Sequence, residues 1–154
     1  DARIVLLRDF HHKGFSFFTN YNSAKGREMK ENEKVCLNFF WPELQRQIRI
    51  LGKVNKLSAK ESDDYFKSRP RESQIGAHAS FQSAVLTSRE ELENRIDQLT
   101  HLFKGQKIPR PKHWGGYVVN PTHIEFWQGR PNRLHDRIAF SKKRTVWTIN
   151  RLNP

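Results

Sequence analysis

The segment from Glu125 to Arg137 has the highest density of side chains that could take part in chemistry. It contains three arginines, one histidine, one tryptophan and two acids within thirteen positions. Arg133 and His135 are two residues apart, so in an extended segment both side chains would point the same way. Arg133 provides a permanent cation, and His135 provides a group that titrates near neutral pH. We therefore take Arg133 and His135 as candidate catalytic residues, with a salt-bridged surface loop as the alternative interpretation.

A second group of candidate residues surrounds Pro70. Tyr65 and Arg69 are four positions apart, which would place them on one side of a helix. Ser73 lies near the predicted start of the next helix, where backbone N–H groups and the helix dipole favour an anion. A phenol, a guanidinium, a hydroxyl and a helix N-terminus together predict a phosphate-binding site. A helix–proline–helix corner without a ligand is the alternative.

The chain is strongly basic. It has 154 residues, with 28 Lys and Arg against 16 Asp and Glu, and a formal net charge of +12. Such an excess attracts polyanions, nucleic acid among them, but the basic residues are spread along the chain and no zinc-finger spacing, recognition helix or RNA-binding aromatic motif is present. Composition leaves three interpretations open: a nucleic-acid-binding surface, a solvated basic surface, or a pocket for a small phosphorylated ligand.

Several classes of protein are excluded by the sequence. No apolar run approaches the ~18 residues of a membrane span. Cys36 is the only cysteine, which excludes a disulfide framework and a multi-cysteine zinc site, and no other group of metal ligands is predicted. The free thiol and the lack of a secretory signal favour a cytoplasmic location. The chain opens on Asp1 and an apolar run instead of Met, so we expect it to begin inside a longer protein.

The elements that must position these side chains are mostly strands. At about 100–200 residues per domain, we expect one domain over residues 1–154. Apolar runs and turn residues predict a hairpin of strands 3–7 and 15–19, strands 35–41 and 46–54, and late strands 116–120, 123–127, 137–140 and 145–152. N-capping residues predict helices at 23–31, 58–68 and 88–105, with a short helix at 73–79. The expected architecture is α+β, a mostly antiparallel barrel or sheet with helices inserted in mid-chain.

With these segments established, the chain resembles the pyridoxine (pyridoxamine) 5'-phosphate oxidase family of flavin enzymes. The resemblance extends from residue 3 to residue 154 and rests on ordered stretches at compatible spacing. The matching stretches are 3–7, 17–20, 45–47, Tyr65-Phe66-Lys67-Ser68-Arg69-Pro70, 73–76, 114–116, 125–129, Arg133-Leu134-His135-Asp136-Arg137 and 151–154. The resemblance implies a split β-barrel that binds FMN and acts as a homodimer, with two flavin sites at the subunit interface.

The resemblance also implies residue roles. The positions that match the family's FMN contacts are Arg3, Phe18, Thr19, Lys25, Gln47, Gln82, Ser83, Trp127 and Arg137. Of these, Arg3 and Lys25 would hold the FMN phosphate. The positions that match the family's substrate contacts are Arg8, Tyr65, Arg69 and Ser73 at the substrate phosphate and Arg133 and His135 over the substrate ring. The implied reaction moves a hydride from the substrate C4' carbon to flavin N5, after which O2 reoxidises the flavin and leaves as H2O2.

Three departures from the family pattern bear on these expectations. Arg8 stands where the family usually has a lysine, and Ala24 stands where an arginine commonly contacts the FMN phosphate. The family's N-terminal segment, which adds a helix, a strand and residues that cover the substrate, has no counterpart in these 154 residues. A split-barrel paralogue that binds flavin or pyridoxal phosphate with little oxidase activity is therefore the alternative function.

Overall fold

The computed structural model describes all 154 residues and contains seven β-strands and four α-helices. The strands are β1 (Asp9–His11), β2 (Gly14–Asn20), β3 (Lys34–Trp41), β4 (Arg46–Lys56), β5 (Trp114–Gln128), β6 (Asp136–Lys143) and β7 (Val146–Leu152). The helices are α1 (Ala24–Glu31), α2 (Ala59–Ser68), α3 (Arg71–Ala79) and α4 (Arg89–Leu102). This element order confirms the α+β class, with the helices between the early and the late strands.

All seven strands belong to one antiparallel sheet that branches along β5. β4 pairs with one edge of β5 from residue 117 to residue 128. The other edge of β5 pairs with β2 over residues 114–119 and then with β6 over residues 123–128. β1, β3 and β7 extend the sheet from β2, β4 and β6. Because β2 and β6 occupy successive parts of one edge, the sheet divides into two branches, which is the arrangement of the split, mostly antiparallel β-barrel predicted above.

The strand predicted at residues 3–7 is wrong. This segment has no partner strand, and the first backbone hydrogen bond to the sheet runs from the Arg8 N–H to the Ser16 carbonyl, at 2.9 Å. The side chains of Ile4 and Leu6 are largely exposed. The hairpin forms instead between β1 and β2, with its turn at residues 12–13. An apolar run by itself cannot form a strand, because its backbone groups need a neighbouring strand to bond.

The two strands predicted on either side of Pro121 are in fact the single strand β5. Pro121 lies opposite Gly52, at the point where the register between β4 and β5 shifts after Leu51. A proline is tolerated inside a sheet at such an irregularity, because the regular ladder is already interrupted there. Pro121 therefore lies at a bulge within a strand, whereas the sequence alone predicted that it ends a strand.

Side-chain caps start three of the helices as predicted. The Ser23 hydroxyl accepts from the Gly26 N–H at the start of α1, and Ser88 does the same at the start of α4. At α2, Ser58 and Glu61 form a full capping box, in which each side chain bonds the other's backbone N–H. α3 begins at Arg71, two residues before the predicted start, and α4 ends at Leu102 without reaching Gly105.

The buried side chains form two apolar clusters, one on each side of the β2–β5 pairing. The first cluster lies within the sheet and consists of Phe17, Val54, Tyr117 and Val119. The second joins α2 and α3 to the sheet and consists of Phe66, Ile75, Ile108 and Trp114. The second cluster fixes the corner between α2 and α3 against β5, and this corner carries the predicted phosphate-binding residues.

Candidate active site

A cavity of about 420 Å³ lies between residues 4–8, β2, α1 and the corner between α2 and α3. Three cationic side chains line it, those of Arg8, Lys25 and Arg69, and no Asp or Glu does. We call this cavity the cationic pocket. The other predicted site residues on its wall are Phe18, Thr19, Tyr65, Ser73 and Gln82. The fold thus brings together eight of the predicted cofactor and substrate residues, from positions 8 to 82, around one positively charged cavity.

Arg69 lies at the edge of this pocket, directly after α2, which ends at Ser68 as predicted. Arg69 has extended backbone angles (φ −75°, ψ 149°), so the expected helical alignment with Tyr65 is wrong. Pro70 accounts for this, because a proline disfavours the helical region for the residue before it. The Arg69 guanidinium lies over the Trp114 ring, 4.5 Å from its centroid, and its Nη1 is buried without a hydrogen-bond partner.

The pKa of Arg69 reflects this environment. Burial lowers the pKa of Arg69 from its usual value, the neighbouring Tyr65 opposes that shift, and the positive charge of Arg8 adds to it. Neither Arg8 nor Arg69 forms an ion pair with a carboxylate, unlike Arg49, Arg137 and Arg151 on the strands. Two guanidinium groups therefore face the pocket with no compensating anion from the chain.

Aromatic stacking holds the remaining side chains of the phosphate-binding group. The Tyr65 ring stacks on Phe18 with centroids 3.8 Å apart, and the Arg8 guanidinium lies 5.6 Å from the Tyr65 centroid. Ser73 is the third residue of α3, so its hydroxyl lies beside the backbone N–H groups that a helix leaves unpaired at its start. The α3 N-terminus, Arg8 and Arg69 thus meet on one side of the cavity.

A polar network occupies the other side of the pocket. The Lys25 ammonium donates to the Thr19 hydroxyl at 3.0 Å. The Thr19 hydroxyl in turn donates to the side-chain oxygen Oε1 of Gln82 at 3.1 Å. Burial lowers the pKa of Lys25, and the nearby positive charge of Arg3 adds to that shift. Ser83, the residue after Gln82, has a positive φ of 70°. Non-glycine residues adopt such angles at a cost, and they cluster at functional sites.

Arg3 lies outside the cationic pocket. Its guanidinium pairs with Asp1 at 2.6 Å and with Glu28 at 3.6 Å, and it lines a neighbouring cavity to which Lys25 also contributes. Lys25 lines both cavities, so Arg3 lies beside the pocket that holds the other predicted phosphate contacts and not within it.

A second cavity, of about 550 Å³, lies at the far end of the sheet, where several of the remaining predicted residues are found. Gln47 on β4 lies opposite Trp127 on β5, and both line this cavity, which we call the tryptophan pocket. Arg137 on β6 lies directly opposite Trp127 on its other side. His135 packs on the Trp127 ring, with centroids 4.7 Å apart. The cationic pocket and the tryptophan pocket share no lining residue, so one chain does not bring all the predicted residues together.

The extended segment expected at residues 133–135 is wrong. Pro131–Arg133 forms a tight turn in which Asn132 and Arg133 have positive φ angles of 58° and 62°. The turn lets the Arg130 N–H donate to His135 Nδ1 at 3.2 Å. Because Nδ1 accepts this bond, the neutral His135 ring carries its proton on Nε2. The turn therefore sets which nitrogen of His135 can donate to a bound molecule.

Two further residues at this end of the sheet were not among the predicted site residues. Glu125 is buried on β5 with only 4% of its surface exposed, and its carboxylate contacts both Arg49 and Arg137. The second residue is Arg49, which the alternation of β4 places on the same face as Gln47. That alternation was the feature of the sequence that could have identified Arg49 as a site residue. The carboxylate that Arg49 meets could not be identified until the register of β4 against β5 was known.

Comparison with known proteins gives the family. Residues 2–103 match the sequence model of a family described as pyridoxamine 5'-phosphate oxidase, and residues 114–154 match that of the pyridoxine 5'-phosphate oxidase C-terminal dimerisation region. The chain belongs to the pyridoxine/pyridoxamine 5'-phosphate oxidase family. It is accordingly an enzyme of the oxidoreductase class. Residues 114–154, the last quarter of the chain, correspond to the region that the family description assigns to dimerisation.

Individual relatives agree with this assignment. A pyridoxine/pyridoxamine 5'-phosphate oxidase from Christiangramia forsetii is 55% identical over 153 residues, which cover 99% of this chain and 72% of the relative. An enzyme of the same name from Trichormus variabilis is 54% identical over 154 residues, with the same coverage. The chain thus spans about 72% of the length of these relatives.

Solved structures confirm the fold. PhzG from Burkholderia lata, solved with tetrahydrophenazine-1-carboxylic acid, aligns with a TM-score of 0.93 at 30% identity, over 100% of this chain and 75% of that one. A pyridoxamine 5'-phosphate oxidase-related, FMN-binding protein from Nostoc punctiforme aligns with a TM-score of 0.75 at 13% identity, over 99% and 79%. None of the four helices of this chain is long and apolar enough to cross a bilayer.

Proposed function

We propose that this chain, as a single split-barrel domain over residues 1–154 and as a homodimer, uses FMN to oxidise pyridoxamine 5'-phosphate or pyridoxine 5'-phosphate to pyridoxal 5'-phosphate. The single observation that carries the proposal is the cationic pocket. Arg8, Lys25 and Arg69 line it without any acidic residue, and Arg69 Nη1 is buried with no partner. Leaving a buried donor unsatisfied costs about 1–3 kcal/mol, which an anionic ligand in the pocket would offset.

Two anionic groups fit the two sides of this pocket. Arg8, Arg69 and Ser73, with the N-terminus of α3, form the side assigned to the substrate phosphate, and the stacked Phe18 and Tyr65 rings form its apolar wall. The network of Lys25, Thr19 and Gln82 forms the side assigned to FMN. Lys25 has no ion-pair partner within the chain, so its ammonium can contact a phosphate directly. The residues present therefore fit FMN, although Ala24 leaves one cation fewer than the family usually has.

A homodimer is supported by the separation of the two pockets. The cationic pocket holds the phosphate-binding residues, whereas Gln47, Trp127, His135 and Arg137 lie at the far end of the sheet. The strands at that end expose large apolar side chains. On one face of the sheet these are Trp41, Phe126 and Ile149. Burial of such a surface against a second copy is favourable, and it would bring the tryptophan pocket of one chain toward the cationic pocket of its partner.

Each chain contributes positioning and polarisation to the reaction. When bound, FMN supplies the hydride acceptor at N5 and passes the electrons to O2, which leaves as H2O2. Arg8, Arg69 and Ser73 hold the substrate phosphate, so that binding energy remote from the reacting carbon orients the substrate. His135 offers an N–H donor at Nε2, because Nδ1 is already occupied by the Arg130 N–H. Arg133 supplies a permanent positive charge close to that donor in sequence.

The test is an absorbance spectrum of the purified protein with added FMN, followed by a peroxide assay. We expect a flavin spectrum and H2O2 release with both phosphorylated substrates, and far weaker turnover with unphosphorylated pyridoxine or pyridoxamine. A protein that remains colourless with excess FMN refutes the proposal. A protein that binds FMN but releases no H2O2 with either substrate supports the alternative of a flavin- or pyridoxal-phosphate-binding paralogue without oxidase activity.

The likeness to PhzG raises a second candidate, an oxidase of a carboxylate-bearing ring compound. The composition of the cationic pocket favours the phosphorylated substrate, because two guanidinium groups and a helix N-terminus match a phosphate dianion better than a single carboxylate. The two candidates are separated by competition. If the first candidate is right, inorganic phosphate and pyridoxal 5'-phosphate should compete with the substrate for the pocket. Faster turnover of a dihydro- or tetrahydrophenazine carboxylate than of pyridoxine 5'-phosphate would favour the second candidate.

A further inference from the structure

The buried carboxylate of Glu125 connects three strands. Its Oε1 accepts from Arg137 Nε at 2.9 Å, and its Oε2 accepts from Arg49 Nη2 at 2.7 Å. Glu125 is 4% exposed, whereas Arg49 and Arg137 are partly open to solvent. The Arg137 hydrogen bond, together with the charges of Arg137 and Arg49, holds the pKa of Glu125 below its usual value in spite of burial. Glu125 is therefore a carboxylate at neutral pH.

Strand register places this group beside the tryptophan pocket. Glu125 lies opposite Arg49 on β4, and Trp127 lies opposite Gln47 on β4 and Arg137 on β6. Residues opposite one another in antiparallel strands share a face, and so do residues two apart on one strand. Glu125, Arg49 and Arg137 therefore lie on the face of the sheet that carries Gln47 and Trp127.

Glu125 leaves part of Arg137 free. The Arg137 guanidinium uses Nε for Glu125 and Nη1 for the carbonyl of Asn153 near the C-terminus. These two bonds fix the plane of the guanidinium and leave Nη2 without a partner in the chain. One carboxylate faces two guanidinium groups, so the group as a whole keeps a net charge of +1. A guanidinium held in one orientation, with the N–H groups of Nη2 free, binds an electron-rich heteroatom better than a mobile, solvated guanidinium would.

We propose that Glu125 is a positioning residue, which holds Arg137 in one orientation for contact with FMN. This inference rests on the proposed function, since it assumes that FMN occupies the site. Without Glu125, the Arg137 side chain would have to lose its rotamer freedom when FMN binds. Fixing one such side chain in advance corresponds to about three- to ten-fold in affinity. Arg49 completes the arrangement, because it satisfies the second carboxylate oxygen.

The competing explanation is that Glu125 only stabilises the sheet, and a double-mutant cycle on FMN affinity separates the two. FMN dissociation constants are measured by flavin fluorescence for the wild type, Glu125→Gln, Arg137→Gln and the double variant, with thermal unfolding of each apo protein as a check on folding. Glu125→Asp keeps the charge but shortens the side chain, so it provides a second variant if Glu125→Gln does not fold. Glu33→Gln removes an exposed partner of Lys53 and serves as the matched control.

We expect Glu125→Gln or Glu125→Asp to weaken FMN binding about three- to ten-fold in the wild-type background and not at all in the Arg137→Gln background. At saturating FMN, the KM for pyridoxine 5'-phosphate should stay unchanged. Glu33→Gln should leave both quantities unchanged. Equal weakening in both backgrounds, or no weakening in either, overturns the positioning role while leaving the proposed function intact. A wild-type protein that binds no FMN overturns both.

Discussion

Arg69→Met tests the phosphate-binding assignment most directly. Arg69 Nη1 is buried without a partner, and its guanidinium lies over Trp114 at 4.5 Å. Methionine keeps an unbranched apolar stem against the Trp114 ring and removes the donor and the charge. A hydrogen bond from a charged donor contributes about 1.5–3 kcal/mol, so we expect affinity for a phosphorylated ligand to fall about 10- to 150-fold.

The same substitution should not destabilise the protein in the absence of ligand. The variant loses a cation–π contact of about 0.5–2 kcal/mol but also removes a buried, unpartnered donor whose burial costs about 1–3 kcal/mol. These effects nearly cancel, and we expect the free energy of unfolding to change by less than about 1 kcal/mol. A large loss of affinity without a loss of stability is typical of a residue kept for binding.

The assay is calorimetric titration of the FMN-loaded protein with pyridoxal 5'-phosphate and with pyridoxal, alongside urea unfolding without ligand. Arg71→Met is the matched control, because Arg71 lies two residues away but donates to the carbonyls of Phe103 and Gln106. It should lower stability and leave the affinity unchanged. The reasoning is refuted if Arg69→Met binds pyridoxal 5'-phosphate as tightly as the wild type, or if it weakens pyridoxal by the same factor.

Three further predictions concern the helix caps, the buried carboxylate and the FMN phosphate. Ser58→Ala removes half of the capping box of α2 and should lower stability by about 1 kcal/mol without changing FMN affinity, as measured by urea unfolding and fluorescence titration. Glu125 has a lowered pKa in the folded state, so its stabilising effect is present above pH ~4.3 and is lost as the pH falls toward the folded pKa. The difference in free energy of unfolding between wild type and Glu125→Gln should therefore shrink between pH 7 and pH 3. A difference that stays constant would contradict the ion-pair account. Ala24→Arg restores a cation at the first residue of α1 and should tighten FMN binding about ten-fold or more, whereas an unchanged dissociation constant would mean that Ala24 does not face the FMN phosphate.

Much of the local structure followed from the sequence because it depends on short-range chemistry. The caps at Ser23, Ser58 and Ser88 each satisfy a backbone N–H within three residues, so nearby residue types were sufficient to locate them. The alternation of residues 46–54 gave β4 its two faces for the same reason. By contrast, residues 3–7 had the composition of a strand but no neighbouring strand to pair with, and Pro121 had the character of a strand end but lies at a bulge.

The predicted phosphate-binding residues do lie together, but not through the helical alignment from which this was predicted. Tyr65, Arg69 and Ser73 do line one pocket, but Arg69 lies after α2 and reaches the pocket through its contact with Trp114. The local conformation expected at residues 133–135 is also wrong. A turn replaces the extended backbone there and allows His135 to accept a hydrogen bond from the Arg130 N–H.

The sequence by itself determined the family resemblance, the α+β class and the identities of the cationic and aromatic side chains available for binding. Only the tertiary structure decided which of them meet. It placed Arg8, Lys25 and Arg69 around one cavity without an acid, moved Gln47, Trp127 and Arg137 to a separate region of the sheet, and paired Arg49 and Arg137 with the buried Glu125. The physical reason is that caps and alternation act over a few residues, whereas charge pairing and burial depend on strand register between residues far apart in the chain.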